Sequence, residues 1–355
     1  MSLFSSSSVI SFTFKALEVV VTPISRVALT LLLTIVPSVP ASAQVVEAVG
    51  GRALGMGGAF VALADDSSAT WWNPAGLAAG PFLDLSLGWA SADIHSGPKA
   101  DRHQAGWVAL GTPPFGFSYY RLRITDIDAI DPTGLGSAGR EDGRAAVPVW
   151  SLSASQLGAT FVQTLFSGVH AGTTLKYVRT AGVSGETTGT EGASSSDLLD
   201  EAEEIDLGDG HGNFDLDIGV LAVRGPVRLG GVVRNVREAS FGGVKLPRTV
   251  RVGAAFDLAE VGRVPLTVAV DGDVSPYETA YGDRRVVAAG GEGWALNRRV
   301  GIRAGARFNT VGAKERAVTA GGSLAIRSGF YVDGYVVHGG AHDESGWGIA
   351  ARASF

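Results

Sequence analysis

The stretch Arg299-Val300-Gly301-Ile302-Arg303-Ala304-Gly305-Ala306-Arg307-Phe308-Asn309 changes character at every residue. Its even positions are apolar, while its odd positions carry three arginines, two glycines and an asparagine. Period two is the signature of an extended strand with one greasy and one wet face. The pattern recurs in Val250, Val252, Ala254, Phe256 and Leu258 opposite Arg251 and Asp257. It returns in Val264, Leu266, Val268 and Val270 opposite Asp271, and in Phe214, Leu216, Ile218 and Val220 opposite Asp215 and Asp217.

Working outward, fourteen such segments are expected, near 82–92, 102–111, 115–124, 148–165, 168–180, 212–223, 226–237, 247–258, 263–274, 283–294, 298–309, 314–326, 328–338 and 345–355. A soluble sandwich also alternates, so the connections decide. Odd links are read as long (93–101, 125–147, 181–211, 238–246, 275–282, 310–313 and 339–344), and even links as tight, as in Thr112-Pro113-Pro114 and Phe166-Ser167. Long loops on one side and short turns on the other predict an all-β fold, a 14-stranded antiparallel transmembrane β-barrel. Strands of about ten residues suffice for a tilted crossing. The last segment sets Trp347, Ile349, Ala351, Ala353 and Phe355 on one face and stops at the aromatic residue. This ending resembles the C-terminal signal by which outer-membrane barrels are recognised by their assembly machinery, and the resemblance implies that role for Trp347, Ile349 and Phe355.

Composition agrees. Only 18% of the residues are charged and 45% are hydrophobic, so apolar surface needs a receiver such as outer-membrane lipid. The net charge of −6 argues against a nucleic-acid partner, and the lack of cysteine removes thiolate and disulfide chemistry. Lys15 and Arg26 precede an uncharged run, Val27 to Val36, and Ala41-Ser42-Ala43 supplies small residues for a peptidase. Residues 1–43 are read as a signal peptide, because the run is too short to span a bilayer, which needs about 20 residues. The expected location is the outer membrane of a Gram-negative-type bacterium.

The fourth segment changes parity. Trp150, Leu152 and Ala154 are apolar on even positions, but Leu157, Ala159, Phe161 and Leu165 on odd ones. A β-bulge at Ser155-Gln156 explains this as a kink in the wall. The alternative is that two short strands have been merged into one, but a single strand keeps the strand number even and is preferred.

Between the cleavage site and the first strand lies Arg52-Ala53-Leu54-Gly55-Met56-Gly57-Gly58-Ala59, followed by Ala64-Asp65-Asp66 and Asn73-Pro74-Ala75-Gly76-Leu77. No strand precedes its glycines and no βαβ unit follows, so a phosphate cradle is set aside. This run resembles the entry segment of the FadL-type outer-membrane family of long-chain fatty-acid and hydrocarbon transporters, nearest to its PorV/PorQ-like branch. The likeness spans about 26 residues, and beyond them it is architectural. It implies that residues 44–81 form a hatch inside the barrel of residues 82–355. The hatch motif is then Leu54, Gly55, Met56, Gly57, Gly58, Asp65, Asp66, Asn73, Pro74 and Ala75. Asp65 and Asp66 are expected to pair with lumenal arginines such as Arg299, Arg303, Arg307 or Arg251, holding the segment in place.

Carriers of this family are thought to capture an apolar ligand in a loop groove and release it sideways through a kinked wall strand. Leu198, Leu199, Ala202 and Ile205 share one face of a short helix and are the candidate groove, and Ser155 and Gln156 the candidate kink. A solvated acidic loop is the plainer reading of the first set. Nine acidic residues between Glu186 and Asp209 disfavour anionic ligands. His338 and His342 flank a glycine-rich turn with Asp343 and Glu344, and Asp206 to Asp215 is acidic, yet both read as exposed loops, not metal sites. No catalytic residue, metal or cofactor is expected. Two functions follow: passive transport of a hydrophobic small molecule, or an accessory barrel that docks exported proteins for a secretion system.

Overall fold

In the computed structural model, the residues described are 49–96, 99–128, 144–190, 194–241, 244–262, 264–279, 282–312, 315–340 and 344–355. The expected signal peptide, the first residues of the hatch, and His342 lie outside them. Among the described residues, fourteen strands form one closed antiparallel barrel. In chain order they are β1 (Asp84–Ser96), β2 (Lys99–Thr112), β3 (Phe115–Asp128), β4 (Arg144–Phe166), β5 (Val169–Thr190), β6 (His211–Arg224) and β7 (Val227–Arg234). The circuit continues with β8 (Thr249–Asp257), β9 (Leu266–Asp273), β10 (Val286–Ala295), β11 (Val300–Asn309), β12 (Arg316–Arg327), β13 (Phe330–Gly339) and β14 (Ser345–Ser354). Each pairs with its sequence neighbours, and β14 closes on β1, from Asp84 opposite Ser354 to Asp93 opposite Ser345.

Alternation sorts the side chains as anticipated. Leu87, Phe117, Leu157, Ile302, Val318 and Ile349 stand exposed on the outside, and only hydrocarbon would cover such a continuous belt without cost. The inward set is polar: Lys176, Asp217, Arg251, Asp271, Glu292, Arg303 and Asp333 are all buried.

Two expectations need correction. The first link is not long, because β1 and β2 extend to Ser96 and Lys99 and leave only residues 97–98 between them. Hydrogen bonding continues where polarity alone suggested a loop. The second concerns Ser155 and Gln156. The register of β4 against β3 and against β5 runs through both residues without a shift, and the shift in β4 lies at Thr164/Phe166 instead. There is no bulge at the parity change. The even positions of β4 from Leu152 to Val162 face inward, and what changes is the chemistry of the two faces. Near the short turns the outer positions Leu157, Ala159 and Phe161 are apolar; toward the long loops the inner positions Leu152 and Ala154 are.

The outer face there is roofed by helix α3, whose predecessors are α1 (Gly51–Gly55) and α2 (Ala69–Trp72) in the N-terminal segment. Helix α3 spans Ser195–Glu203, capped by Ser194, which accepts from Asp197 N–H. The Asp197 carboxyl accepts in turn from Ser194, which holds its pKa below the usual range. The cap therefore weakens as pH falls through that lowered value. Leu198, Leu199 and Ala202 are buried with Ile205 against Ala100, Ile127, Val147 and Val149. By strand parity these four lie on the outer faces of β2, β3 and β4. Arg102 adds ion pairs to Asp200 and Glu203. The helix forms and its apolar face is where the sequence placed it, but that face packs down on the wall instead of lining an open groove.

Candidate functional site

The N-terminal segment is positioned by its own motif and by the wall. Helix α1 packs on β11 to β14, while a 3₁₀ turn over Pro74–Ala79 packs on β4, β5 and β6. Val49, Leu54, Met56, Phe60, Trp72 and Leu77 are all buried, which places the segment in the lumen.

Asn73 is the keystone of the second half. Its backbone is extended, as the residue before proline requires, and its Oδ1 accepts from Ala75 N–H at 3.2 Å. Its Nδ2 donates to Val61 O at 2.8 Å within the segment and to Val220 O at 3.0 Å on β6. The next anchor is Asp271 of β9, whose Oδ2 accepts from Phe60 N–H and Val61 N–H, both at 2.7 Å. Thr319 of β12 donates to Gly55 O at 3.0 Å. Gly57 adopts φ +71° and would place a Cβ 2.7 Å from Ala306 N, so the motif needs glycine there both for conformation and for space.

The wall is cut to match. A Cβ on Gly219 would lie 2.1 Å from Asn73 Oδ1, and one on Gly172 would lie 2.4 Å from Ala75 N. On Gly230 it would lie 2.5 Å from Val61 O. On Gly290 and Gly305 it would strike Met56 at 2.3 and 2.1 Å. The segment's backbone thus rests in a row of missing side chains on five strands.

Charge ties the same parts together. Arg52 donates to Glu292 with two nitrogens, at 2.8 and 2.9 Å, and to Asp65 at 2.5 Å. Asp65 reaches Arg228 at 3.0 Å, and Glu292 reaches Arg303 at 3.4 Å. Arg303 continues to Asp333 at 3.5 Å, Asp333 to Arg352 at 3.1 Å, and Arg352 to Asp84 at 3.8 Å. This is an alternating string of four arginines and four carboxylates across the lumen. Asp66 sits 3.5 Å from Arg52 and accepts from Ser68 N–H at 3.0 Å. The partners anticipated for Asp65 and Asp66 are therefore replaced. Asp65 takes Arg52 and Arg228, Arg251 binds Asp273 at 2.7 Å, and Arg307 binds Glu344. Glu292 and Asp333 were not singled out from sequence, and Asp271 was read only as a wet-face residue of its strand, with no role at the segment. Their signal was a carboxylate at an inward position of a strand, where only a cation or an N–H makes burial tolerable.

Removing Arg52 leaves Glu292, Asp65 and Asp66 short of their shared cation. Arg52→Met is expected to weaken docking of residues 50–79 by about 3 kcal/mol, roughly a hundredfold in local opening. Hydrogen exchange of that segment measures it. Protection unchanged from wild type would show that the string contributes nothing.

Above the segment, on the side of the long loops, the inner wall turns apolar. Trp71 of α2, Leu122, Ala154, Val178 and Leu246 enclose a cavity of about 40 Å³ with Gln156, Lys176, Asp217, Arg234 and Asn235. Leu246 and Phe241 belong to the loop between β7 and β8, which carries a two-residue ladder, Ser240–Phe241 with Val244–Lys245. Together with Ala239 they bury against Val178 and cover the cavity. The loop is pinned by Asp215, which accepts from Arg237 N–H and Ala239 N–H, and by Asn235, which donates to Pro247 O. A larger concavity of about 760 Å³ beside Asp93, Val336 and Trp347 opens on the outer surface, away from the segment. Gln156, expected at a lateral kink, instead lines the lumenal cavity, while Ser155 faces outward.

No family model and no curated protein matches the sequence. Among solved structures, the fold is similar to that of the P. putida toluene transporter TodX, at 13% identity and TM-score 0.61 over 86% of this chain and 98% of that one. It is similar to the Ralstonia pickettii toluene transporter TbuX, at 14% identity and TM-score 0.57 over 86% and 98%. It is also similar to a Pseudomonas aeruginosa FadL homologue, at 11% identity and TM-score 0.56 over 89% and 99%. At these identities the likeness is one of fold.

Proposed function

We propose that the protein is a passive outer-membrane carrier of hydrophobic small molecules, exported by its N-terminal signal. The observation that carries this reading is the cavity whose one wall is apolar, Trp71, Leu122, Ala154, Val178 and Leu246, beside the polar Gln156, Lys176, Asp217, Arg234 and Asn235, set between a plug below and a folded-back loop above. A plain porin would keep its lumen polar, and a structural barrel would have no use for an apolar lining at that depth. The fold it shares with hydrocarbon transporters supports the same conclusion. At about 40 Å³ the cavity is smaller than an aromatic ring, so a ligand enters by displacing the loop and leaves by displacing the plug.

Native mass spectrometry of the mature barrel from outer membranes tests the reading, with an Asn73→Ala, Pro74→Ala pair alongside. A discrete apolar mass on the wild type that weakens in the variant is the expected result. A barrel carrying an exported protein and no small molecule would replace transport by the secretion-accessory role.

A loop that must move can be locked. The chain has no cysteine, so Val178→Cys with Leu246→Cys gives one clean pair. Oxidation is expected to cut uptake of a hydrophobic probe at least tenfold, and a reductant to restore it. Equal uptake in both states would mean that the ligand does not pass this loop.

A further inference from the structure

The cavity described above is not uniformly greasy, and its polar groups divide into two kinds. Most are satisfied. Lys176 Nζ donates to Asp217 Oδ1 and Asn235 Oδ1, both at 2.6 Å, and Asn235 donates to Pro247 O at 2.8 Å. The Arg234 guanidinium lies over the rings of Trp71 and Trp72, at 5.5 and 5.8 Å. Two donors are different. Among the described residues, Trp71 Nε1 and Gln156 Nε2 are buried and meet no hydrogen-bond acceptor. Trp71 is 9% exposed and Gln156 7%, and both side chains line the cavity.

A buried N–H without an acceptor is costly, and native folds keep few of them. Neither is forced by the barrel. Phenylalanine would preserve the edge-on packing of Trp71 against Tyr120, and leucine would fill the place of Gln156. Indole nitrogen can only donate, so whatever satisfies it brings an acceptor. A free carboxylate is disfavoured, because the acidic loop repels it on approach and neither cation at the cavity is free for it: Lys176 is held by Asp217, and Arg234 lies over the rings of Trp71 and Trp72.

We infer that the cavity selects neutral hydrophobes bearing a hydrogen-bond-accepting oxygen, above all a carbonyl, and that Trp71 and Gln156 are the residues that read it. A carbonyl oxygen offers two lone pairs and lies flush with an aromatic or alkyl body. The inference rests on the transport reading and narrows its substrate from hydrocarbons in general to oxygenated ones. A bare hydrocarbon of the same shape fills the apolar wall but leaves both donors stranded, which is the stronger kind of discrimination.

Acetophenone and ethylbenzene differ at one carbon, C=O against CH₂, and make the probe pair. Headspace partitioning over the purified barrel, with empty carrier as blank, gives an affinity for each. Trp71→Phe and Gln156→Leu are each expected to lower the ketone-to-hydrocarbon affinity ratio about tenfold, with ethylbenzene binding held or improved. Heat-modifiable gel mobility checks that both variants are folded, and Gln156→Leu, on the wall, leaves the plug intact. A ratio unmoved in both variants while ethylbenzene still binds overturns the specificity and leaves transport standing. The specificity falls in the same way if water satisfies the donors so well that the ketone gains nothing over ethylbenzene in the wild type. Binding of neither compound overturns both.

Discussion

Gly219→Val opens the barrel. The new side chain must occupy the place of Asn73 Oδ1, 2.1 Å from its first atom, and Pro74 Cδ, 2.9 Å away. Strand β6 itself loses nothing, since valine suits an extended backbone better than glycine does. The strain falls wholly on the N-terminal segment, which gives up the bonds from Asn73 to Val61 and Val220 or leaves its seat. Single-channel conductance in planar bilayers is expected to rise at least tenfold over wild type, because a fourteen-stranded lumen without its filling is wide enough for water and ions. Gly305→Val, which strikes Met56 at the far end of the segment, should do the same independently. Wild-type conductance in both variants, with the barrel folded, would mean that the segment does not seal the lumen.

Ending the chain before Gly346 should abolish assembly. Strand β14 supplies the register that joins β13 to β1, and Phe355 and Leu83 exchange backbone hydrogen bonds at 2.8 and 3.0 Å beside the turn. Phe355 also meets Phe330 edge-on at 5.3 Å. Without that strand, β1 and β13 present two open edges to hydrocarbon, and each unpaired backbone group there costs several kcal/mol. The truncated chain is expected to yield no protease-resistant, heat-modifiable species in membranes. Appearance of such a species at wild-type level would contradict the closed barrel.

The wall was legible from sequence because lipid imposes one rule on every strand. Ile302 and Phe308 face out and Arg303 and Arg307 face in, as the alternation of Arg299–Asn309 requires. The same alternation misled at Ser155 and Gln156, because it reports which face is apolar and not which face is outside. Once α3 shields the outer face and the lumen itself becomes apolar, the two cease to coincide. Motif reading singled out the N-terminal segment but not its partners, since Arg52 meets Glu292 across 240 residues of chain. The glycines of the wall carried an unused signal: an interior glycine in an otherwise well-formed strand, as at Gly219 and Gly290, marks another backbone in close approach. The loop over Phe241 and Leu246 gave none, because its burial depends on Val178 far away in sequence.

The fit between a segment's backbone and gaps in five strands bears on exchange of parts. A lumen-filling segment grafted from a barrel with side chains at positions 172, 219, 230, 290 and 305 could not simply be inherited by this one, nor this one's segment by it. Either half drifts only in step with the other, so a chimaera is rescued by transplanting the gaps together with the piece that fills them.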